Sequence, residues 1–230
     1  VHIKGKGAKN AGVTIAADGA VLAQSGKIIL EGLGYGSTTQ NAIRIEGVVG
    51  QKAGSGVTSS SAAIELIGDK LAILGSLPNG RIASSGQLTI RPRTPSTTIG
   101  IGGATGTLQL SSSYFSTNFV NGFSKILVGS PETGKIELGG STTYQDPLVF
   151  QSADDIWMAG SGSMTGLAGE NAPLTLWADA DGDDSGMIWL KTGSAITTNG
   201  GHLWMGGGDG TATWNGLTVG DGYAAGSDAF

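Results

Sequence analysis

The sequence predicts an all-β chain wound as a parallel β-helix, a solenoid of about eleven coils in a single domain over residues 1–230. Three observations predict it: a short strand pattern that recurs from end to end, glycine-rich punctuation between its copies, and two internal quasi-repeats. Composition agrees, because 42 glycines against 13% charged residues suit short strands with tight corners and suit helices poorly.

The strand pattern is apolar, any residue, apolar, commonly followed within two positions by Gly, Ala or Ser. It starts at Val1, Val13, Ile28, Ile43, Ile64, Leu88, Ile99, Leu108, Ile126, Ile136, Leu148, Ile156, Leu174, Ile188, Leu203 and Leu217. Period two turns the apolar pair of each copy inward. Between many copies stand turn signals such as Asp18-Gly19, Asn79-Gly80, Asn199-Gly200 and Asp209-Gly210. Taken alone, these also fit β-hairpins in a sandwich or barrel.

Repetition favours the solenoid. Ile99-Gly-Ile-Gly-Gly-Ala-Thr-Gly-Thr-Leu-Gln-Leu110 recurs, one residue longer, from Ile126 to Leu138, and Ile156-Trp-Met-Ala-Gly returns as Leu203-Trp-Met-Gly-Gly. One stretch departs from the pattern. Phe115, Phe119 and Phe123 lie four apart, so residues 111–123 are expected to form a corner loop or helical turn packed on the strands, with a binding loop as the alternative.

From Thr98 through Leu110, then Gly122-Phe-Ser-Lys-Ile-Leu-Val-Gly129 and Gly134-Lys-Ile-Glu-Leu-Gly-Gly140, the chain resembles filamentous-haemagglutinin-like repeat proteins, large secreted bacterial adhesins. The runs beginning at Asp146-Pro-Leu, Asp154-Asp-Ile and Ala172-Pro-Leu extend the likeness, which covers roughly residues 97 to 200 and rests on pattern more than on single residues. The resemblance implies a right-handed β-helix, export to the bacterial cell surface or medium, and a role in adhesion or matrix. It supplies no catalytic residues.

Several classes are excluded. A net charge of -5 with 13 scattered basic residues gives no positive face for nucleic acid. No apolar run reaches the roughly 18 residues of a membrane span. Cysteine is absent, so there is neither a disulfide framework nor a thiolate metal site. Val1-His-Ile-Lys begins in mid-strand without a signal-peptide pattern, as expected of a segment from a longer repetitive chain.

Parallel β-helices also carry polysaccharide-cleaving sites, so Asp154-Asp155 is the natural acid/base candidate. Alternation separates neighbouring side chains in a regular strand, however, and His202 lacks the flanking residues of a polygalacturonase-like site. His2 and His202 are the only histidines, and Gly100-Ile-Gly-Gly reads as a turn, not a phosphate loop. No enzymatic role is expected.

Asp179, Asp181, Asp183 and Asp184 place four carboxylates within six residues, a hard oxygen set of the kind calcium prefers. The spacing is not an EF-hand, since its sixth and twelfth positions would be Asp184 and Leu190. A solvated turn is the other reading, and calcium is not expected to be needed for folding. Trp157, Trp177, Trp189 and Trp204 occupy or follow strand patterns whose flanking apolar residues point inward. All four are therefore expected outward, either packed under a loop, a neighbouring coil's extension or another copy of the chain, or open as a strip for glycans or a protein partner on a host or neighbouring cell.

The functional expectation is a structural or adhesive segment of a surface protein, giving attachment or a stalk. The alternatives are a self-assembling extracellular fibre or sheath subunit and a polysaccharide-degrading enzyme.

Overall fold

The computed structural model describes residues 1–8, 10–34, 40–75 and 79–226. Among them the chain is all-β apart from one short helical segment, and its contacts form two compact units: Val1–Thr94 with Ser113–Ile126, and Pro95–Ser112 with Leu127–Phe230. The units interleave along the sequence, so no single linker separates them.

The first unit holds β1 (His2–Lys6), β2 (Val13–Ile15), β3 (Ala20–Leu22), β4 (Lys27–Leu33), β5 (Ile43–Ile45), β6 (Val48–Gly50), β7 (Ala63–Ile67), β8 (Leu71–Ile73), β9 (Arg81–Ala83) and β10 (Gln87–Arg91). Each strand pairs in parallel with the third strand after it, giving the series β1-β4-β7-β10, β2-β5-β8 and β3-β6-β9. Like residues therefore lie over like. Ile28, Ile64 and Leu88 form one ladder and Leu30, Leu66 and Ile90 another, all at most 1% exposed. Val13, Ile43 and Leu71, and Ile15, Ile45 and Ile73, repeat the arrangement in the second series. Burying each such side chain stabilises the unit by about 1.5–3 kcal/mol.

Paired residues are separated by different lengths of chain: 27 positions for His2 and Ile29, 36 for Lys27 and Ala63, 24 for Ile64 and Leu88. These turns are longer than the roughly 20 residues the sequence predicts. The extra length lies in the corners. Gly50 closes β6 with φ +100°, and a Cβ there would stand 2.0 Å from the Ala83 carbonyl oxygen, so only glycine fits. Buried serines stabilise other corners: Ser60 and Ser84 Oγ accept the N–H groups of Ala62 and Gly86, two residues on.

The aromatic segment is a π-helical turn, Tyr114–Asn118, closed by the Phe119 N–H donating to the Tyr114 carbonyl. Phe115, Phe119 and Phe123 are all buried, and the rings of Phe115 and Phe119 meet edge to face at 5.4 Å. The Ile73 N–H donates to the Tyr114 hydroxyl, and Asn118 Nδ2 donates to the Gly80 carbonyl, so the turn is fastened to the ends of β8 and the approach to β9.

The second unit holds β11 (Ile99–Ile101), β12 (Leu108–Leu110), β14 (Ile136–Leu138), β15 (Ser141–Tyr144), β16 (Leu148–Gln151), β17 (Ile156–Met158), β18 (Ser163–Gly166), β19 (Leu174–Trp177), β20 (Ile188–Leu190), β21 (Ala195–Thr197), β22 (Leu203–Trp214) and β23 (Leu217–Gly222). The intervening β13 (Lys125–Gly129) spans the change from the first unit to the second. The pairing rule recurs in β14-β17-β20, β15-β18-β21 and β16-β19-β22, all parallel. Ile136, Ile156 and Ile188 form one ladder, and Leu148, Leu174 and Leu203 another.

The longer quasi-repeat does not stack in phase. β11 pairs with β12 on one side and with β14 on the other, so the opening strand of the first copy lies on the closing strand of the second. The chain ends its strand series in a hairpin, β22 with β23 antiparallel, around Asn215-Gly216, both left-handed as a tight hairpin turn requires. Asp209-Gly210, read from sequence as a turn, lies inside β22.

Candidate functional site

Two features of the second unit concentrate chemistry. The first is the outer strip of β14, β17 and β20. Register places Trp157 directly beside Trp189, with Glu137 on the other side of Trp157. Ile156 and Met158 are buried in the ladders, so alternation sends Trp157 outward as expected. The two indoles meet edge to face at 5.3 Å. Lys135 Nζ sits 3.8 Å from the Trp157 ring centroid, and Lys191 Nζ lies 4.6 Å from Trp157 and 4.8 Å from Trp189. These lysines occupy ring faces that a sugar would otherwise stack on, and make the strip cationic as well as aromatic.

Trp204 takes an outer position too, but on another sheet, opposite Thr175 of β19. It folds back over Gly206, where a Cβ would come within 2.7 Å of the ring. The expectation that Trp177 belongs to an exposed binding strip is corrected. Trp177 is buried beneath the β22–β23 hairpin, its Nε1 donating to the Gly208 carbonyl at 2.8 Å and pressing against Gly220. The four tryptophans thus form two pairs, Trp157 with Trp189 and Trp177 with Trp204, instead of one strip.

The second feature is the corner between β19 and β20. Asp179, Gly182 and Asp184 all have left-handed backbone there, which curls the segment tightly. Asp179 is 2% exposed, while Asp181 and Asp183 are exposed, and one carboxylate oxygen from each lies within 4.8 Å of the others. Asp184 is exposed and outside this group. Neighbouring levels add two acids that local spacing does not reveal. The Asp209 side chain from β22 packs against Gly182, and Asp154, whose carbonyl faces the Asp179 N–H, acts on Asp181 electrostatically.

Burial raises the Asp179 carboxyl above its ordinary value, and Asp181 and Asp183 add to the rise against backbone N–H groups of Ser185 and Asp183. Asp181 is raised as well, by burial and then by Asp183 and Asp154. No family model, curated protein or solved structure matches this chain.

The remaining candidates are engaged in local structure. Asp154 Oδ1 accepts the neighbouring Asp155 N–H, and Asp155 Oδ1 accepts the Met187 N–H, so Asp155 ties the corner before β17 to the approach to β20. His2 lies 3.5 Å from Glu31, and the His202 ring stacks edge to face with Trp214 at 5.5 Å. In the first unit, a cleft of about 390 Å³ is walled by Asp18, Gln51, Lys52, Asn79 and Arg81.

Proposed function

We propose that the chain is a structural and adhesive segment of a large secreted bacterial surface protein of the filamentous-haemagglutinin-like kind, folded as a right-handed parallel β-helix. The supporting observation is that most strands of both units pair in parallel with the strand three places on. Such a scheme needs a crossover at every step, and parallel crossovers are right-handed in about 98% of cases. Between strands three apart, paired positions stand 20 to 37 residues apart, so the coils would be longer than roughly 20 residues and fewer than eleven. Attachment would use Trp157, Trp189 and Trp204, with Lys135 and Lys191 favouring an anionic glycan.

Glycan-array and cell-binding assays with the purified chain test this reading. The expected result is binding that Trp157→Ala, Trp189→Ala and Trp204→Ala together abolish without loss of the β-sheet circular dichroism signal. No binding by the native chain, or full binding by the triple variant, would sink it.

One observation favours self-assembly as a second reading. At the level of β20 and β22 the ladder residues Leu190 and Met205 are 43% and 45% exposed, an apolar surface that another level of strands would cover. Sedimentation should then show concentration-dependent polymers that Leu190→Lys with Met205→Lys dissolves.

A further inference from the structure

We infer that the corner between β19 and β20 binds one calcium ion through Asp179, Asp181 and Asp183. The inference is independent of the adhesive reading. Calcium holds its oxygen ligands at about 2.3–2.6 Å, so two of them stand up to roughly 5 Å apart. The three carboxylate oxygens, all within 4.8 Å of one another, span that distance.

A second observation, separate from the clustering, points to a ligand. Asp179 is 98% buried, yet its Oδ1 has no hydrogen-bond partner among the described residues. A buried acceptor left unmatched is costly, and a carboxylate more so. Backbone N–H groups of Ser185 and Asp183 reach the carboxylate yet leave Oδ1 unmatched, and one of its oxygens lies within 4.8 Å of oxygens of Asp181 and Asp183. No lysine or arginine among the described residues is ion-paired with any of the three. Asp154 and Asp209 deepen the negative potential from the levels on either side. A cation would satisfy Oδ1 and neutralise the repulsion together.

Alternate spacing explains the selection within the acidic run. Asp179, Asp181 and Asp183 fall on one side of the curled backbone, and Asp184, next in sequence, does not. Calcium fits better than magnesium, because three carboxylates on an irregular turn do not supply the rigid octahedron that magnesium demands. The ion would brace the corner without being required for folding, since β19 and β20 are each held in parallel pairing to other strands.

Calorimetric titration of chelator-treated protein with calcium chloride tests this, with thermal unfolding as a second readout. The expected result is one site, a rise in Tm of at least about 3 °C at saturation, and at least tenfold weaker binding in Asp179→Asn. Should Asp179→Asn fail to fold, Asp181→Asn with Asp183→Asn, both at exposed positions, must show the same weakening. Asp184→Asn should bind within twofold of the native chain. Absence of calcium binding at 10 mM (about 100-fold above a tight extracellular site), equal binding of magnesium, or equal loss in Asp184→Asn would each overturn the assignment.

Discussion

The two units share one interior scheme and differ in how they clothe it. In the first, the outer face of the sheet is a network of charges: Lys4 and Arg93 on Glu31, Lys27 and Arg91 on Glu65. In the second, the face of β14, β17 and β20, which belongs to a different sheet, carries paired indoles with lysines against them, and acids gather at one corner. Inward positions are fixed by stacking, so they are aliphatic in both. Outward positions answer to nothing in the ladder and are free to take up separate tasks.

The most damaging way to break the comparison is from inside. Leu66→Ala in the first unit and Leu176→Ala in the second remove side chains at most 1% exposed, and each should cost about 2–5 kcal/mol in chemical denaturation. A loss in one unit only would show that the shared ladder is not what holds both.

Acid should separate the units next. Burial pushes the Glu65 carboxyl up, but hydrogen bonds and attraction from Lys27 and Arg91 outweigh it, so its pKa lies below 4.5. Folded, it binds fewer protons than unfolded, so its stabilisation is complete above about 4.5 and is lost as pH falls through the folded value. Because the Lys27 side chain is half exposed, the effect should stay near or below about 1 kcal/mol. Hydrogen exchange between pH 3 and 6 should show β7 losing protection and β19 little changed, with Glu65→Gln removing most of the β7 trend. Equal acid sensitivity of both strands in the native chain would contradict the contrast.

The smallest effect belongs to the second unit. Lys135→Met removes the ammonium 3.8 Å from the Trp157 centroid and should cost about 0.5–1 kcal/mol. A shift in tryptophan emission should accompany it. No change in either would place the lysine there without energetic consequence.

The strands legible in the sequence are those that send two apolar side chains inward, and every one of the sixteen patterns falls on or directly against a strand. The strands that escaped mostly send one large apolar residue into the stack: Ile82 in β9, Met164 in β18, Ile196 in β21. A single inward residue leaves no periodicity to read. β8 carries the pattern at Leu71 and Ile73 and belongs with the others. At the acidic corner, spacing alone marks Asp179, Asp181 and Asp183, whereas Asp154 and Asp209 arrive from levels about 25 to 30 residues away, beyond any local motif. Trp177 misleads for a related reason: alternation gives its direction correctly, but the cover over it comes from the β22–β23 hairpin, about 30 to 45 residues further along the chain.

The unequal spacing between positions paired across strands three apart, 20 for Ile136 and Ile156 but 37 for Ile99 and Ile136, has a practical consequence. A compact globule resists added length because its loops must close onto fixed neighbours. Here the strands keep register while the corners absorb the difference, and longer flexible loops cost little extra closure entropy, about 0.6 kcal/mol per doubling. Foreign peptides grafted into a long corner without helix, residues 51–62 between β6 and β7, should therefore be displayed without disturbing the paired strands on either side. Evolution can use the same permissiveness, diversifying recognition by lengthening corners while the ladder stays as it is.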